Sequence, residues 1–220
     1  MQIKICGLRD PENIREIAAL QPDFMGFIFY PNSPRYAGQL DAGSLTSLPT
    51  SIKKTGVFVN ENLENILTAI SKYNLDAVQL HGADNKKLCR KIRQEAKTMV
   101  IKVFPIMDAS NFRVTGDYED VADYFLFDTK TDLYGGSGQK FNWNILQEYT
   151  GNKPFLLSGG IGADDVKAIR AIEHPLLAGV DLNSKFELKP GLKNVALLKQ
   201  FIDELKLPPN PLKGEKECEV

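Results

Sequence analysis

Eight short apolar runs recur along the chain and alternate with longer segments of helical periodicity. Most runs are rich in β-branched or aromatic residues, and their alternation with helices is typical of βα units repeated around a parallel sheet. The runs occupy residues 3–6, 24–29, 55–59, 77–80, 100–104, 124–127, 155–158 and 178–182. Eight units within 220 residues predict an α/β protein with a closed (β/α)8 TIM barrel as a single domain. A doubly wound open sheet is the competing architecture.

Helices are predicted between these strands, and some have recognisable N-terminal signals. Asp10 with Pro11 precedes the first helix, Asn60 or Asn62 precedes another, and Asp84 precedes a third. Asp and Asn side chains suit the N-cap, and proline suits the first helical position. The expected helices cover residues 12–20, 42–48, 63–73, 86–96, 142–149, 163–171 and 194–205.

The chain shows no linker and no shift in composition that would mark a second domain. Residues 1–206 are therefore predicted to form the barrel, with the segment 108–120, which Gly116 interrupts, as its least regular helix. Residues 207–220 are rich in proline and charge. They are expected to form a flexible C-terminal tail.

The overall composition excludes several classes of function. The 27 basic and 28 acidic side chains give a net charge of -1, which provides no general attraction for nucleic acid or an anionic membrane. Three cysteines without metal or disulfide spacing, Cys6, Cys89 and Cys218, and only two histidines argue against a metal site and a disulfide framework. We expect a cytoplasmic protein, since there is also no membrane-spanning run and no signal sequence.

Polar residues follow several of the predicted strands, at the barrel end where catalytic groups lie in this fold. They are Cys6, Arg35, His81, Asp128 and Asp181. Residues two apart on a strand share a face, so Lys4 lies below Cys6, and Gln79 below His81.

Four of these residues leave alternatives open, because Cys6 also suits plain core packing and Asp128 also suits a cap of the following turn. A buried Lys4 either forms a structural ion pair with an interior carboxylate or favours the ionised form of the thiol. His81 either contacts a ligand or bonds a backbone carbonyl. The second histidine, His174, precedes Pro175 in a connecting loop and is expected to be structural.

Two segments late in the chain predict a phosphate site. Ser158-Gly159-Gly160-Ile161-Gly162 follows the seventh strand, and Asp181-Leu182-Asn183-Ser184 belongs to the eighth strand and the loop after it. Loops after these two strands commonly bind phosphate in barrels, and exposed backbone N–H groups can converge on an anion. Tight turns are the alternative explanation for the glycines.

A third glycine-rich stretch consists of Gly135, Gly136, Ser137 and Gly138. Glycine lowers the cost of large backbone changes, so this stretch is a candidate for a mobile lid over the site. A floppy surface loop is nearly as good an interpretation.

Together these motifs resemble the phosphoribosylanthranilate isomerases of tryptophan biosynthesis along nearly the whole chain. The matching stretches are KICGL at 4–8, GFIF at 26–29, SPR at 33–35, GVFVN at 56–60, VQLHG at 78–82, FDT at 127–129, GGSG at 135–138, FNW at 141–143, SGG at 158–160, GVD at 179–181 and ELKPG at 187–191.

The resemblance implies an Amadori rearrangement of N-(5-phosphoribosyl)anthranilate to 1-(2-carboxyphenylamino)-1-deoxyribulose 5-phosphate, without metal or cofactor. It matches the family's general base to Cys6, its general acid to Asp128 and its anthranilate-binding arginine to Arg35. It also places the phosphate at Gly159 and Gly160 and in the segment that includes Asn183 and Ser184. His81 and Asp181 complete the expected substrate contacts.

The chain departs from the family pattern at three places: Asn142 replaces an aspartate, Leu157-Ser158 replaces a more usual alanine before the glycines, and Asn183-Ser184-Lys185 replaces a run of two serines and a small residue. Two alternative functions remain open. One is the related aminoaldose isomerisation of histidine biosynthesis, which uses two carboxylates rather than a thiol. The other is a non-catalytic barrel that binds a phosphorylated metabolite. The expected partner is a small phosphorylated substrate, with no nucleic acid or membrane, and the protein is expected to be a monomer or homodimer.

Overall fold

The computed structural model describes residues 1–83, 85–129 and 140–207. Within this part of the chain, eight parallel strands close into a barrel and follow one another in chain order. The predicted (β/α)8 barrel is therefore confirmed, and the open sheet is excluded. The strands are β1 (Gln2–Ile5), β2 (Phe24–Ile28), β3 (Lys53–Phe58), β4 (Ala77–Leu80), β5 (Met99–Ile106), β6 (Tyr124–Thr129), β7 (Phe155–Leu157) and β8 (Leu177–Leu182).

Closure of the barrel places β1 between β2 and β8. In the β1–β8 register Lys4 lies opposite Asp181. Because side chains alternate along a strand, Cys6 lies on the same inner face as Lys4, one position above it. The carboxyl ends of all eight strands meet at one rim, so His81 and Ser158, which follow β4 and β7, reach the same rim as Cys6.

The α-helices alternate with strands around the outside of the barrel. They are α1 (Pro11–Ala18), α2 (Gly43–Thr46), α3 (Leu63–Tyr73), α4 (Lys86–Ala96), α5 (Val166–Arg170) and α6 (Val195–Lys206). Short 3-10 helices cover Ala109–Tyr118, Trp143–Glu148, Ala163–Asp165 and Ser184–Phe186.

The helix caps follow the sequence signals closely. Asp10 accepts hydrogen bonds from the first turn of α1, which begins at Pro11, and Asn62 rather than Asn60 caps α3. The cap of α4 is Asn85. The predicted cap for that helix, Asp84, is therefore wrong by one position, and it lies outside the described residues.

Several predicted helices are shorter or tighter in the structure. The helices expected at 108–120 and 142–149 are 3-10 helices. The helix expected at 163–171 is a 3-10 turn followed by α5, and the one at 42–48 is the four-residue α2. These segments are short, and isolated short helices gain little from hydrogen bonding alone.

Local side-chain bonds explain two of these differences. The Thr115 hydroxyl donates to the Phe112 carbonyl, and Gly116 follows, so this segment combines a back-bonding side chain with a weak helix former. The Asp165 carboxylate accepts from the Gly162 amide at 2.6 Å. This contact holds the turn after β7 in a tight conformation before α5 begins.

The sequence did not predict the β-hairpin that follows β8. It pairs β9 (Glu187–Lys189) with β10 (Leu192–Lys193) in antiparallel fashion. Gly191, in the turn, has a φ of +84°, a value that glycine adopts at little cost. The Lys193 backbone donates to and accepts from the Asn13 side chain of α1, so the hairpin is fixed to the body of the barrel.

The apolar core has two parts. The larger lies between the strands and the surrounding helices and contains most of the buried side chains. The smaller consists of Phe24, Ala77, Ile101, Val103, Leu126 and Leu156. Strand alternation places these six inside the barrel, where they fill its lower part and leave the polar residues at the carboxyl rim.

Candidate active site

The thiol of Cys6 occupies the inner face of the barrel just beyond β1. The residue is only 3% exposed, and its backbone amide donates to the Leu182 carbonyl, which extends the β1–β8 ladder by one residue. Gly26 on β2 packs against it, and a Cβ at that position would lie 2.8 Å from Sγ. A glycine at position 26 therefore makes room for the thiol.

Lys4 and Asp181 form a buried ion pair directly below the thiol. The Lys4 Nζ lies 2.9 Å from Asp181 Oδ1, and the lysine side chain is fully buried. The structural ion pair that the sequence offered as one alternative is thus present. Lys4 also hydrogen-bonds Cys6 and lowers the pKa of its thiol, so the two alternatives coexist.

The net pKa of the Cys6 thiol is nevertheless raised. Burial is the largest effect and outweighs the lowering effects of Lys4 and Lys193, while Asp181 raises the pKa further. Lys4 favours the ionised form of the thiol, as the sequence predicted, but its effect is smaller than that of burial. Without substrate, Cys6 holds its proton at neutral pH.

Asp128 lies in β6 and faces the same cavity. Burial and the nearby charge of Asp181 raise its pKa to about 6, while the Thr129 amide donates to Oδ1 at 2.9 Å. The direction of this shift is the one that a general acid requires.

His81 contacts Asp128 and is neutral. Its Nε2 lies 3.5 Å from Asp128 Oδ2, and burial together with the charges of Lys102 and Lys4 lowers its pKa to about 4. The Gln79 amide nitrogen lies 3.5 Å from His81 Nδ1. An amide N–H donated to Nδ1 would leave the imidazole proton on Nε2, directed at the Asp128 carboxylate.

These groups line one cavity at the carboxyl rim. Of the predicted site residues, the cavity brings together Cys6, His81, Asp128, Gly159, Gly160, Asp181, Asn183 and Ser184. Within the described part of the chain, no group of three or more acidic, histidine or cysteine side chains is arranged to hold a metal ion.

The two glycines after β7 have the backbone that a phosphate cradle requires. Gly159 and Gly160 have φ values of +91° and +66°. A Cβ at Gly159 would collide with Thr129 at the end of β6, whose amide would lie only 2.6 Å away. Tight packing and close approach of an anion to the backbone amides therefore both require glycine here.

Arg35 lies beside this cavity without lining it. A Cβ at Gly7, whose φ is +79°, would lie 2.7 Å from both the Arg35 Cδ and the Asn183 Oδ1. The glycine thus allows the Arg35 side chain to approach Asn183 in the loop after β8. Its guanidinium is paired with Glu187 at 2.7 Å, and contact between Arg35 and a substrate carboxylate stays a prediction.

Gln79, Glu187 and Lys193 were not among the predicted site residues, whereas Ser158 begins the segment predicted to bind phosphate. Gln79 and Ser158 line the cavity, and Gln79 Oε1 is buried without a hydrogen-bond partner in the described structure. Strand alternation with His81 was the signal for Gln79. Glu187 and Lys193 lie in the hairpin, which no sequence signal predicted.

The two remaining predictions concern the role of His174 and the candidate lid. His174 Nε2 lies 3.1 Å from the Tyr149 carbonyl, and its Nδ1 accepts from the Leu176 amide, in line with a structural role. The candidate lid, Gly135 to Gly138, lies outside the described residues. No helix in the described ranges is long and apolar enough to cross a membrane.

Comparison with known proteins identifies the family. The sequence model of N-(5'-phosphoribosyl)anthranilate (PRA) isomerase matches residues 3–204. The chain is 46% identical to the N-(5'-phosphoribosyl)anthranilate isomerase of Parabacteroides distasonis, over 93% of each chain. It is 48% identical to that of Phocaeicola vulgatus, over 94% of this chain and 98% of the relative.

Solved structures agree with the sequence relatives. The phosphoribosyl anthranilate isomerase of Thermotoga maritima superposes with a TM-score of 0.82 at 34% identity, covering 94% of this chain and 98% of that one. A second structure, of the isomerase in complex with reduced 1-(o-carboxyphenylamino)-1-deoxyribulose 5-phosphate, superposes at 0.79 with 31% identity and the same coverage. The chain belongs to the N-(5'-phosphoribosyl)anthranilate isomerase family.

Proposed function

We propose that the protein isomerises N-(5-phosphoribosyl)anthranilate to 1-(2-carboxyphenylamino)-1-deoxyribulose 5-phosphate in tryptophan biosynthesis. The observation that carries this proposal is the cavity that Cys6 and Asp128 share with Gly159 and Gly160. The reaction needs one base, one acid and an anchor for phosphate, and family membership supplies the substrate.

Asp128 is the acid in this proposal. A carboxylic acid donates its proton to the furanose ring oxygen, the bond from C1 to that oxygen breaks, and a cationic iminium forms between C1 and the anthranilate nitrogen. The raised pKa of Asp128, about 6, supports this role because it keeps a larger protonated fraction near neutral pH than an ordinary aspartate would have. Enclosure of a phosphorylated anion would raise that pKa further.

Cys6 is the base. Its thiol first releases its proton to solvent, and the thiolate then takes the proton from C2. The electron pair of that C–H bond forms the C1–C2 double bond and neutralises the iminium nitrogen. The resulting enolamine gains a proton at C1 and loses the one on the C2 oxygen, which gives the ketone. Exchange with solvent returns Cys6 and Asp128 to their starting protonation states.

The raised pKa of Cys6 requires that substrate chemistry help to ionise it. The iminium places a positive charge one bond from C2, next to the thiol, and an adjacent opposite charge lowers the pKa of an acid. Lys4 adds a fixed positive charge from below. The thiolate is therefore favoured at the step that uses it.

The substrate contacts follow from the same cavity. Backbone amides at Gly159, Gly160, Asn183 and Ser184 hold the phosphate, since the positive φ values of the two glycines suit a concave amide surface. His81 and Asp181 line the wall near Asp128 and face the sugar hydroxyls. Arg35 binds the anthranilate carboxylate.

Residues 1–206 form the catalytic domain in this proposal, as a monomer or homodimer. One matching structure is that of generated monomers of the dimeric isomerase of Thermotoga maritima, which supports the homodimer as one of these two states. Cys6 and Cys89 are buried and form no disulfide in the described part of the chain, which suits a reducing cytoplasm. Sedimentation of the purified chain distinguishes monomer from dimer.

The test is steady-state turnover of freshly prepared phosphoribosylanthranilate, followed by the loss of its fluorescence. We expect Cys6→Ala and Asp128→Asn each to lower kcat by at least about 10²-fold, the range typical of a lost general base or acid. Near wild-type turnover by Cys6→Ser would rule out the thiolate base.

Two further measurements address the alternatives. Turnover of the aminoaldose substrate of histidine biosynthesis, in competition with phosphoribosylanthranilate, would favour the related isomerase. Calorimetric binding of the reduced product analogue without any turnover would indicate a binding protein instead.

A further inference from the structure

Arg35 is held along one edge by Glu187. Its Nε lies 2.9 and 3.1 Å from the two carboxylate oxygens of Glu187, and its Nη2 lies 2.7 Å from Oε2. The two side chains are 11% and 4% exposed. This is a bidentate pair in a nearly dry setting, which fixes the orientation of the guanidinium as well as its position.

The pairing leaves the other edge of the guanidinium available. An arginine has five N–H donors, and Glu187 takes those of Nε and one of Nη2. The structure shows no other side-chain hydrogen-bond partner for Arg35 within the described ranges. The Nη1–Nη2 edge therefore presents parallel N–H groups, a geometry that matches a second carboxylate.

Glu187 is itself fixed by the hairpin. The Lys193 Nζ lies 2.8 Å from Glu187 Oε1 and 2.7 Å from Asn183 Oδ1, and the Gly191 amide donates to the same Glu187 oxygen at 3.0 Å. Lys193 is anchored to α1 by its backbone bonds with Asn13. Glu187 thus has little freedom to move with Arg35.

This cluster carries a surplus positive charge. Arg35 and Lys193 are two basic groups around the single carboxylate of Glu187, while Asp181, the nearby carboxylate, is paired with Lys4. Burial lowers the pKa of Lys193, and its contact with Glu187 opposes that shift and favours the charged ammonium. Burial acts to raise the pKa of Glu187, but Arg35 and Lys193 hold it below its usual range. A buried group of charges with a net positive sign favours an anionic ligand beside it.

We infer that Glu187 is a positioning residue that aims Arg35 at the carboxylate on the substrate's aromatic ring and so selects a carboxylated substrate. The inference rests on the proposed function, because it takes the substrate class from it. Lys193 stabilises the same arrangement through its contact with Glu187. Its contact with Asn183 connects Glu187 and Arg35 to the loop after β8, where we propose that phosphate binds.

The experiment compares two ligands by calorimetry. One is reduced 1-(o-carboxyphenylamino)-1-deoxyribulose 5-phosphate, and the other is the same compound without its carboxyl group. Wild-type protein is expected to bind the carboxylated ligand more tightly. Glu187→Gln is expected to lower the ratio of the two Kd values, carboxyl-free over carboxylated, at least about 10-fold. The Kd of the carboxyl-free ligand is expected to change by less than about 2-fold, because only the orientation of Arg35 is lost.

Kinetics and a conservative variant sharpen the test. With phosphoribosylanthranilate, Glu187→Gln is expected to raise KM more than it lowers kcat. Glu187→Asp keeps the charge but withdraws it by one methylene, so its preference should lie between those of wild type and Glu187→Gln. If Glu187→Gln does not fold, the selective loss in Glu187→Asp still decides the point. The matched control is Lys189→Gln, because Lys189 is an exposed residue of the same hairpin. This variant should keep the wild-type ligand preference and KM.

Two results would overturn the inference. If Glu187→Gln weakens the binding of both ligands equally, Glu187 is a structural residue of the hairpin. If the wild-type protein binds both ligands with the same Kd, Arg35 does not recognise a carboxylate. Both outcomes are read from binding alone. Absence of wild-type turnover would instead defeat the proposed function, and it leaves the ligand preference measurable.

Discussion

At the scale of single residues, burial has opposite consequences for the two groups assigned to proton transfer. Burial raises the pKa of both Cys6 and Asp128, which helps an acid and hinders a base. Lys4 lies beside the thiol and partly offsets this, but Lys4 is already paired with Asp181. The thiol is therefore protonated without substrate, and in the proposed mechanism the positive charge of the iminium favours its ionisation.

The raised pKa of Asp128 also predicts a pH-dependent gain in stability when the charge is removed. A carboxyl whose folded pKa is about 6, against an ordinary value of 3.8, favours folding when protonated and opposes it once ionised. Asp128→Asn cannot ionise. We expect it to be more stable than wild type by no more than about 3 kcal/mol above pH 6, with the difference shrinking as pH falls from about 6 to 4.

Urea unfolding at pH 4, 6 and 8 measures this difference. Asp203→Asn is the matched control, because Asp203 is exposed and forms a surface pair with Lys199, and it should change stability by less than about 0.5 kcal/mol. A difference for Asp128→Asn that is constant with pH, or that grows in acid, would contradict the assignment. A gain in stability with a loss of turnover is the pattern expected of a functional group held in an unfavourable environment.

At the scale of elements, the site depends on glycines where strands and loops approach each other. Gly26 on β2 leaves space for the thiol above β1, and a Cβ there would lie 3.1 Å from the Cys6 Cα as well as close to its Sγ. The neighbours are backbone and a fixed thiol, so they cannot easily move aside. Strand pairing and thiol placement therefore depend on the same small residue.

We expect Gly26→Ala to cost about 1–3 kcal/mol of stability, the usual cost of overpacking, and to lower kcat about 10-fold by displacing the thiol. Gly116→Ala is the control, because a Cβ at Gly116 would meet no atom within 4 Å. Thermal unfolding and turnover are measured for both variants. If Gly26→Ala retains wild-type kcat, the precise position of the thiol does not limit the reaction.

The hairpin of β9 and β10 is the other element with a specific part in the site. It follows the 3-10 helix Ser184–Phe186 after β8 and carries Glu187 and Lys193, which pair with each other, while Glu187 also pairs with Arg35. Its two strands have only three and two residues, too few for a hydrophobic alternation to be read from the sequence. Its position depends on bonds to Asn13 of α1, far away in the chain.

At the scale of the whole molecule, the barrel is complete before the chain reaches its end. The last described helix, α6, ends at Lys206, and Leu207 is 60% exposed. We expect a chain that ends at Leu207 to keep the kcat of the full chain, with a Tm within about 2 °C, because β1 to β8 and α6 all lie before that point and the remaining residues are rich in proline and charge. Calorimetry and turnover of the truncated chain check this.

Truncation within α6 provides the contrast. A chain that ends at Leu198 lacks Phe201, Ile202 and Leu205, which are buried against the barrel, and should lose several kcal/mol or fail to fold. If truncation at Leu207 is equally harmful, residues 1–206 are not a sufficient domain. Equal activity of both shortened chains would mean that α6 is dispensable.

The sequence by itself determined the repeated βα order, the family and the strand ends that carry chemistry. Apolar runs of four to six residues that alternate with helices permit few other folds, and Cys6, His81 and Asp128 each follow or end such a run. Caps such as Asp10 and Asn62 were also predictable, since they act within one turn of their own helix.

Only the tertiary structure decided the charges and the partners. The pKa of Cys6 depends on burial and on Lys4, Lys193 and Asp181, which come from both ends of the chain. Arg35 and Glu187 are 152 residues apart, and no local periodicity reports such a pair. Ionisation and ion pairing depend on distance and dielectric in space, whereas the sequence pattern reports only which face of its own strand or helix a residue occupies.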